Sequence, residues 1–237
     1  YGWSLPRWTQ PFKGDLAVGC GNVAWAQVYA YWHQFRGKNR LFLYKDNPID
    51  VSIIADELGC KSKDYGEETY EGLIYNTMWN QLYWMTNSNR WGNTTSTWSP
   101  PWDDGNARDM TDGREYGYTK GYAVNVDHKN GWSINDIYNN VACDNPVILL
   151  IYGAYDGLCI GPATHYVVTE GVMRKYWSNN QAAPYEGAYY CNWGHGIGRE
   201  RKWIFICYEE QAAEAFAGKF AGKDLYSIYD SYMININ

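Results

Sequence analysis

A cysteine between two glycines, Gly19-Cys20-Gly21, stands directly before an apolar run of fourteen residues, NVAWAQVYAYWHQF, from Asn22 to Phe35. That run is apolar nearly all round, carries Ala24, Ala26 and Ala30 for close approach, and meets no Gly or Pro until Gly37, so it predicts a buried helix. Cys20 then sits at or just before the helix N-terminus, where N–H groups without intrahelical partners and the helix dipole favour an anion. A thiolate held there, with little side-chain bulk on either side, is a nucleophile suited to acyl transfer. The competing reading is a buried structural cysteine, and the residues elsewhere in the chain decide between the two.

A thiolate nucleophile needs an imidazole to take up its proton and return it to the leaving group, and the chain has four histidines. His33 lies inside the apolar helix and reads as a core or rim residue. His128, in the polar run Asp127-His128-Lys129-Asn130, reads as solvated, and His195 lies between two glycines in a turn. His165 opens the strand-like Tyr166-Val167-Val168 directly after Gly161-Pro162-Ala163-Thr164, a placement that projects a side chain from a rigid edge. Asn192 has the chemistry to orient that imidazole, with Trp193 beside it as a shield from water. An Asn before a turn is equally common for turn reasons.

These residues must be carried by two kinds of structure. In the first half, helical spacing recurs over Asp50 to Leu58 and Tyr70 to Met85, after a Gly-, Pro- and Trp-rich arm over residues 1–19. Asn87 to Gly121 collects Asn, Ser, Thr, Gly, Pro and Asp and reads as a long irregular excursion. A further helix is expected from Ser133 to about Ala142. Beyond it come short β-branched or aromatic runs, Pro146 to Tyr152, Thr164 to Glu170, Gly187 to Trp193 and Lys202 to Tyr208, separated by turn residues. The expectation is an α+β fold, a single domain over 1–237 with a mainly helical lobe over 1–142 and a mainly antiparallel β lobe over 143–237.

Composition narrows the classes. Apolar residues make up 46% and aromatics 18% of the 237 residues, which is a globular composition. The net charge of −6 with signs interspersed offers no basic stripe for phosphates, so no nucleic-acid partner is expected. No stretch reaches the roughly 18 to 20 apolar residues of a membrane span, so no membrane partner is expected either. Asp103-Asp104-Gly105-Asn106 lacks the alternation of a calcium loop, no Cys/His spacing suits a metal, and no cofactor is expected. Six cysteines are compatible with one or two disulfides in an exported enzyme; Asn93-Thr94-Thr95 is a glycosylation acceptor pattern, and a chain that opens at Tyr1 without a leader fits a product cut from a precursor.

Trp8-Thr9-Gln10-Pro11-Phe12, Val18-Gly19-Cys20 and Ala24-Trp25-Ala26-Gln27-Val28-Tyr29-Ala30-Tyr31 resemble the opening of the streptopain-like family of papain-clan cysteine peptidases. Asn145-Pro146-Val147, Gly161-Pro162-Ala163-Thr164-His165-Tyr166-Val167-Val168 and Tyr189-Tyr190-Cys191-Asn192-Trp193-Gly194-His195-Gly196 are similar to that family's later blocks, in the same Cys, His, Asn order. The step of 145 residues from Cys20 to His165 fits a papain-like separation. The resemblance implies a papain-like fold, a secreted endopeptidase made as a zymogen and acting on peptide or protein substrates, Gln10 as an oxyanion donor, and Gly19, Thr164 and Trp193 at the substrate. The chain departs from the family pattern after the cysteine, with Gly21-Asn22-Val23-Ala24 where Val-Ala-Thr-Ala stands. It also permits a second alignment, in which Cys20-Gly21 is a structural pair, Ala24 covers the nucleophile's place, and the enzyme is inactive. The readings from other classes are a non-catalytic binding, structural or toxin protein on the same fold, and an acyl transferase using the same triad.

Overall fold

The computed structural model describes residues 5, 8, 12–13, 16–54, 69–86, 110–130, 134–153, 163–175, 186–192, 201–206 and 225–237. Gln10, Asn93, Trp193 and His195, and most of the 87–121 excursion, lie outside them.

Two short strands, β1 (Phe12–Lys13) and β2 (Leu16–Ala17), pair antiparallel and lead into α1 (Cys20–Phe35). A second small ladder, β3 (Leu43–Tyr44) with β4 (Asn47–Pro48), follows, then a single 3-10 turn over Val51–Ile53. Residues 55–58, the rest of the helix expected there, lie outside the described residues. The helix expected over Tyr70 to Met85 is present as three consecutive pieces: α2 (Tyr70–Asn76), capped by the Thr69 hydroxyl, a π-helical stretch over Thr77–Leu82, and α3 (Tyr83–Met85). The end of the supposed irregular excursion is helical instead, a 3-10 turn over Met110–Gly113 running into α4 (Arg114–Thr119).

The remaining elements are β5 (Val124–Asn130), α5 (Ile134–Ala142), β6 (Val147–Gly153), β7 (Ala163–Lys175), β8 (Glu186–Asn192), β9 (Arg201–Ile206) and β10 (Leu225–Ile236). The six strands among them form one sheet of order β5-β10-β6-β7-β8-β9, antiparallel along β10-β6-β7-β8-β9. Leu225 and Tyr226 of β10 also pair in parallel with Phe205 and Ile206 of β9, which curls the sheet back on itself. Among the described residues the fold is α+β with a mainly antiparallel sheet.

The chain divides into two compact units, one of Tyr1, His128–Asn192 and Arg201–Met233, the other of Gly2–Asp127, Trp193–Glu200 and Ile234–Asn237. In the sheet unit α5 packs against β7 and β6.

The helical unit is organised by α1, which is buried from Cys20 to His33 because no face of it is polar enough to stay in water. Trp25 stacks on Tyr29 with ring centroids 5.3 Å apart, and its indole N–H donates to Met110 O at 2.8 Å. The Tyr29 hydroxyl donates to Gly113 O at 2.8 Å and accepts from the Gly117 N–H at 3.1 Å, so α4 is docked on α1 through one phenol. Burial among these groups pushes the Tyr29 hydroxyl well above its ordinary pKa and keeps it a neutral donor.

His33 is a structural histidine, as its place in the helix implied. The Phe42 N–H donates to Nδ1 at 3.3 Å, so the ring proton is on Nε2, which donates to Ile49 O at 2.7 Å. Burial depresses its pKa from the ordinary 6.5, because desolvation disfavours the charged ring more than its backbone hydrogen bonds favour it. The unfolded chain therefore binds this proton first, and the fold loses stability as pH falls from about 6.5 toward the lower folded value. In denaturant unfolding at pH 7.5 and pH 5, the stability advantage of wild type over His33→Gln should shrink at the lower pH. An advantage of equal size at both pH values would show that His33 does not titrate in this way.

In the sheet unit, His128 is exposed, as the polar run around it implied. Its ring stacks on Tyr232 at 4.6 Å, and Nε2 lies 3.1 Å from Asp230 Oδ1. Asp230 and Tyr232 lie opposite Leu150 and Ile148 in the β10–β6 register, so one face of β10 carries both contacts.

Candidate active site

Cys20 is the first residue of α1, two residues earlier than the apolar run alone implied, and it is buried. Gly19 before it has φ 95 and ψ 136, in the region that L side chains avoid and glycine enters freely. The Gly19 carbonyl accepts from the N–H groups of Asn22 and Val23 at 3.2 and 3.3 Å, starting the helix. In a trans peptide the N–H opposes the C=O, so the Cys20 N–H points out of the helix end and has no acceptor inside α1. The first turn carries no acidic residue, so no carboxylate there opposes a thiolate. Ala24 lies more than a turn inside the helix and is buried, where the backbone N–H groups are consumed by intrahelical bonds.

Two polar side chains brace this turn. Asn22 Nδ2 donates to Val18 O at 2.6 Å, and Asn22 Oδ1 lies 2.8 Å from Thr86 Oγ1. Both residues are at most 1% exposed. Neither was singled out as a site residue from the sequence, where Asn22 is one more residue of an apolar helix. The available signal was an Asn in the first turn of a helix that otherwise has no polar side chain until Gln27.

His165 is the third residue of β7 and is half-buried, opposite Ile151 of β6. Cross-strand partners share a face of the sheet, and faces alternate along each strand. His165, Val167 and Thr169 therefore lie on one face with Ile151, Leu149, Val147 and, across β8, Cys191. Tyr166 and Val168 lie on the other face with Leu150, Ile148 and Asn192. Asn192 thus pairs three residues beyond His165 and from the opposite face of β7, and this register does not bring it to the imidazole as an orienting amide. Its Nδ2 instead donates to Glu170 Oε1 at 3.2 Å; both residues are buried. Glu170 is the extra residue of a bulge between Thr169 and Gly171, and a carboxylate before a glycine within a β-branched run was the sequence signal for it.

Three described cysteines, Cys20, Cys143 and Cys191, are free thiols, and the other three lie outside the described residues. Burial pushes the Cys191 thiol far above its usual range despite a hydrogen bond to Thr169, so it is an inert core thiol. Cys143 is exposed. Among the described residues no group of His, Cys, Asp and Glu is arranged to hold a metal, and no helix is long and apolar enough to cross a membrane. The described chain is an α+β protein with a cysteine at the head of a buried helix and a histidine on an antiparallel strand. No protein-family model, curated protein or solved structure matches it.

Proposed function

We propose that this chain is a papain-like cysteine peptidase with Cys20 as nucleophile and His165 as general base and acid. The observation that carries the reading is the start of α1 at Cys20, after a glycine at φ 95, with the cysteine N–H directed out of the helix end. The same placement favours Cys20 over Ala24 as the nucleophile's position, and so an active site over the inactive alignment.

In this mechanism the Cys20 thiolate adds to the carbonyl carbon of a peptide, and the carbonyl electron pair moves onto oxygen. The Cys20 N–H and the Gln10 amide hold that oxyanion. Collapse breaks the C–N bond while imidazolium His165 protonates the departing amine. His165 then takes a proton from water, the resulting hydroxide displaces Sγ from the thioester, and the acid product leaves with the thiolate restored. Gly19, Thr164 and Trp193 are assigned to the substrate cleft, on the strength of the resemblance. Asn192 has the role of a buried brace with Glu170, given its hydrogen bond and its face of the sheet. Secretion as a zymogen and glycosylation at Asn93 belong to the same proposal.

Iodoacetamide labelling, read by peptide mapping from pH 4 to pH 9, tests it. Cys20 should label at least about tenfold faster than exposed Cys143 near pH 6, because only a stabilised thiolate is abundant there. Cys191 should remain unlabelled in the folded protein. Labelling of Cys20 no faster than Cys143 would favour a non-catalytic protein on this fold.

A further inference from the structure

We infer that Asn22 and Thr86 are positioning residues that set the geometry of the Cys20 turn and tie it to the end of the π-containing helix; this rests on the peptidase reading above. The hydrogen bonds have a direction that follows from proton counting. The Thr86 hydroxyl has one proton, and both Asn22 Oδ1 at 2.8 Å and Leu82 O at 3.0 Å lie within reach of it. Leu82 O already accepts from the Thr86 backbone N–H at 2.9 Å, so the hydroxyl proton is best used on Asn22. The Asn22 amide then has its oxygen as acceptor and its nitrogen as donor, which matches the 2.6 Å bond to Val18 O without an amide flip. Accepting at oxygen polarises the amide and strengthens its N–H as a donor, so the Thr86 to Asn22 to Val18 relay is cooperative.

The relay ends on the backbone that matters. Val18 and Gly19 are the two residues before the nucleophile, and Gly19 has the conformational freedom to let the Cys20 peptide swing. Fixing the Val18 carbonyl from one side, while the Gly19 carbonyl is held by the helix, determines the plane that carries the Cys20 N–H and the direction of its side chain. Thr86 sits at the C-terminal end of the helix whose middle, Thr77–Leu82, is π-helical. A π-turn shifts the residues that follow it around the axis, and such bulges are commonly kept where a side chain must be aimed. Thr77 and Thr86 are buried polar residues of this segment, and Thr77 closes its own bond back to Leu73 O at 3.0 Å. Thr86 is the one whose hydroxyl reaches α1. Asn22 also falls within the stretch in which the chain departs from the streptopain-like pattern, so the brace is a property of this chain.

The test compares the pH profile of Cys20 labelling by iodoacetamide in wild type, Thr86→Val, Thr86→Ser and Asn22→Ala, with Cys191 protection and thermal unfolding read on the same samples. Thr86→Val is isosteric and should lower the Cys20 labelling rate near pH 6 about tenfold, the scale of a misplaced reacting group, with Cys191 still protected. Thr86→Ser keeps the hydroxyl and should label within about twofold of wild type. Asn22→Ala should match or exceed the Thr86→Val loss. Should Thr86→Val not fold, Thr86→Ala removes the same hydroxyl with less crowding and takes its place. A purely structural pair would lower the unfolding temperature and leave the labelling profile unchanged, which overturns the inference. Slow labelling in wild type overturns the peptidase reading first; fast labelling in wild type with unchanged variants overturns this inference alone.

Discussion

Cys20→Ala should lower hydrolysis of a broad peptide library by at least about 10⁴-fold, because it removes the atom that forms the acyl bond. The fold should survive, since Ala is at least as good a helix former as Cys and the lost buried sulfur costs only about 1 kcal/mol. His165→Ala should lose a comparable factor, and the double variant little more, because a nucleophile without its base and a base without its nucleophile fail at the same step. Asn192→Ala separates two accounts of the third residue. An amide that orients the imidazole would show its loss in kcat; the geometry of β7 and β8 predicts that the variant is chiefly destabilised, since Glu170 would lose a buried donor. Turnover that persists in Cys20→Ala would end the peptidase reading, whatever the behaviour of the other variants.

The readable parts of this chain were those where local pattern and tertiary environment agree. α1 was legible because a helix buried on every side needs no partner-specific pattern, and β6 and the core of β7 were legible from their β-branched runs. α4 was hidden by the glycine that precedes it and the one inside it: Gly113 and Gly117 read as loop signals, whereas their lack of a side chain is what lets the backbone approach Trp25 and Tyr29. β10 was missed because Leu225–Ile236 mixes Ser, Asp and Asn with its apolar residues, and burial of Ser231 and Tyr232 comes from neighbouring strands. Cys20 and His165 stood out by residue type and position. The place of Asn192 did not, because pairing register decides which face a side chain takes and a step of one residue reverses it. Asn22 and Thr86 are 64 residues apart, and no local pattern announces a bond at that separation.

Gly113→Ala is expected to be strongly damaging to the helical unit. A Cβ built at Gly113 would lie 2.2 Å from Trp25 Nε1, 2.3 Å from Cε2 and 2.5 Å from Cδ1, far inside contact distance. The indole has no easy retreat: it is fully buried, stacked on Tyr29 on one side, and its N–H is bonded to Met110 O. Gly113 has φ −55, so Ala meets no backbone strain there, and its better helix propensity returns at most about 1 kcal/mol. Overpacking at about 3 kcal/mol exceeds that gain, and the net loss of about 2 kcal/mol should lower Tm by about 4 to 8 °C. Gly37→Ala is the contrasting case, with φ +69 and nothing within 4 Å of the added carbon, so only the left-handed backbone penalises it, by about 1 to 2 kcal/mol. If the Gly113 effect is steric, repeating it in a Trp25→Phe background, which lacks the indole nitrogen and the second ring, should recover much of the loss. Strict additivity of the two substitutions would mean that the methyl group and the indole do not meet, and that α4 does not dock on α1 through this seam.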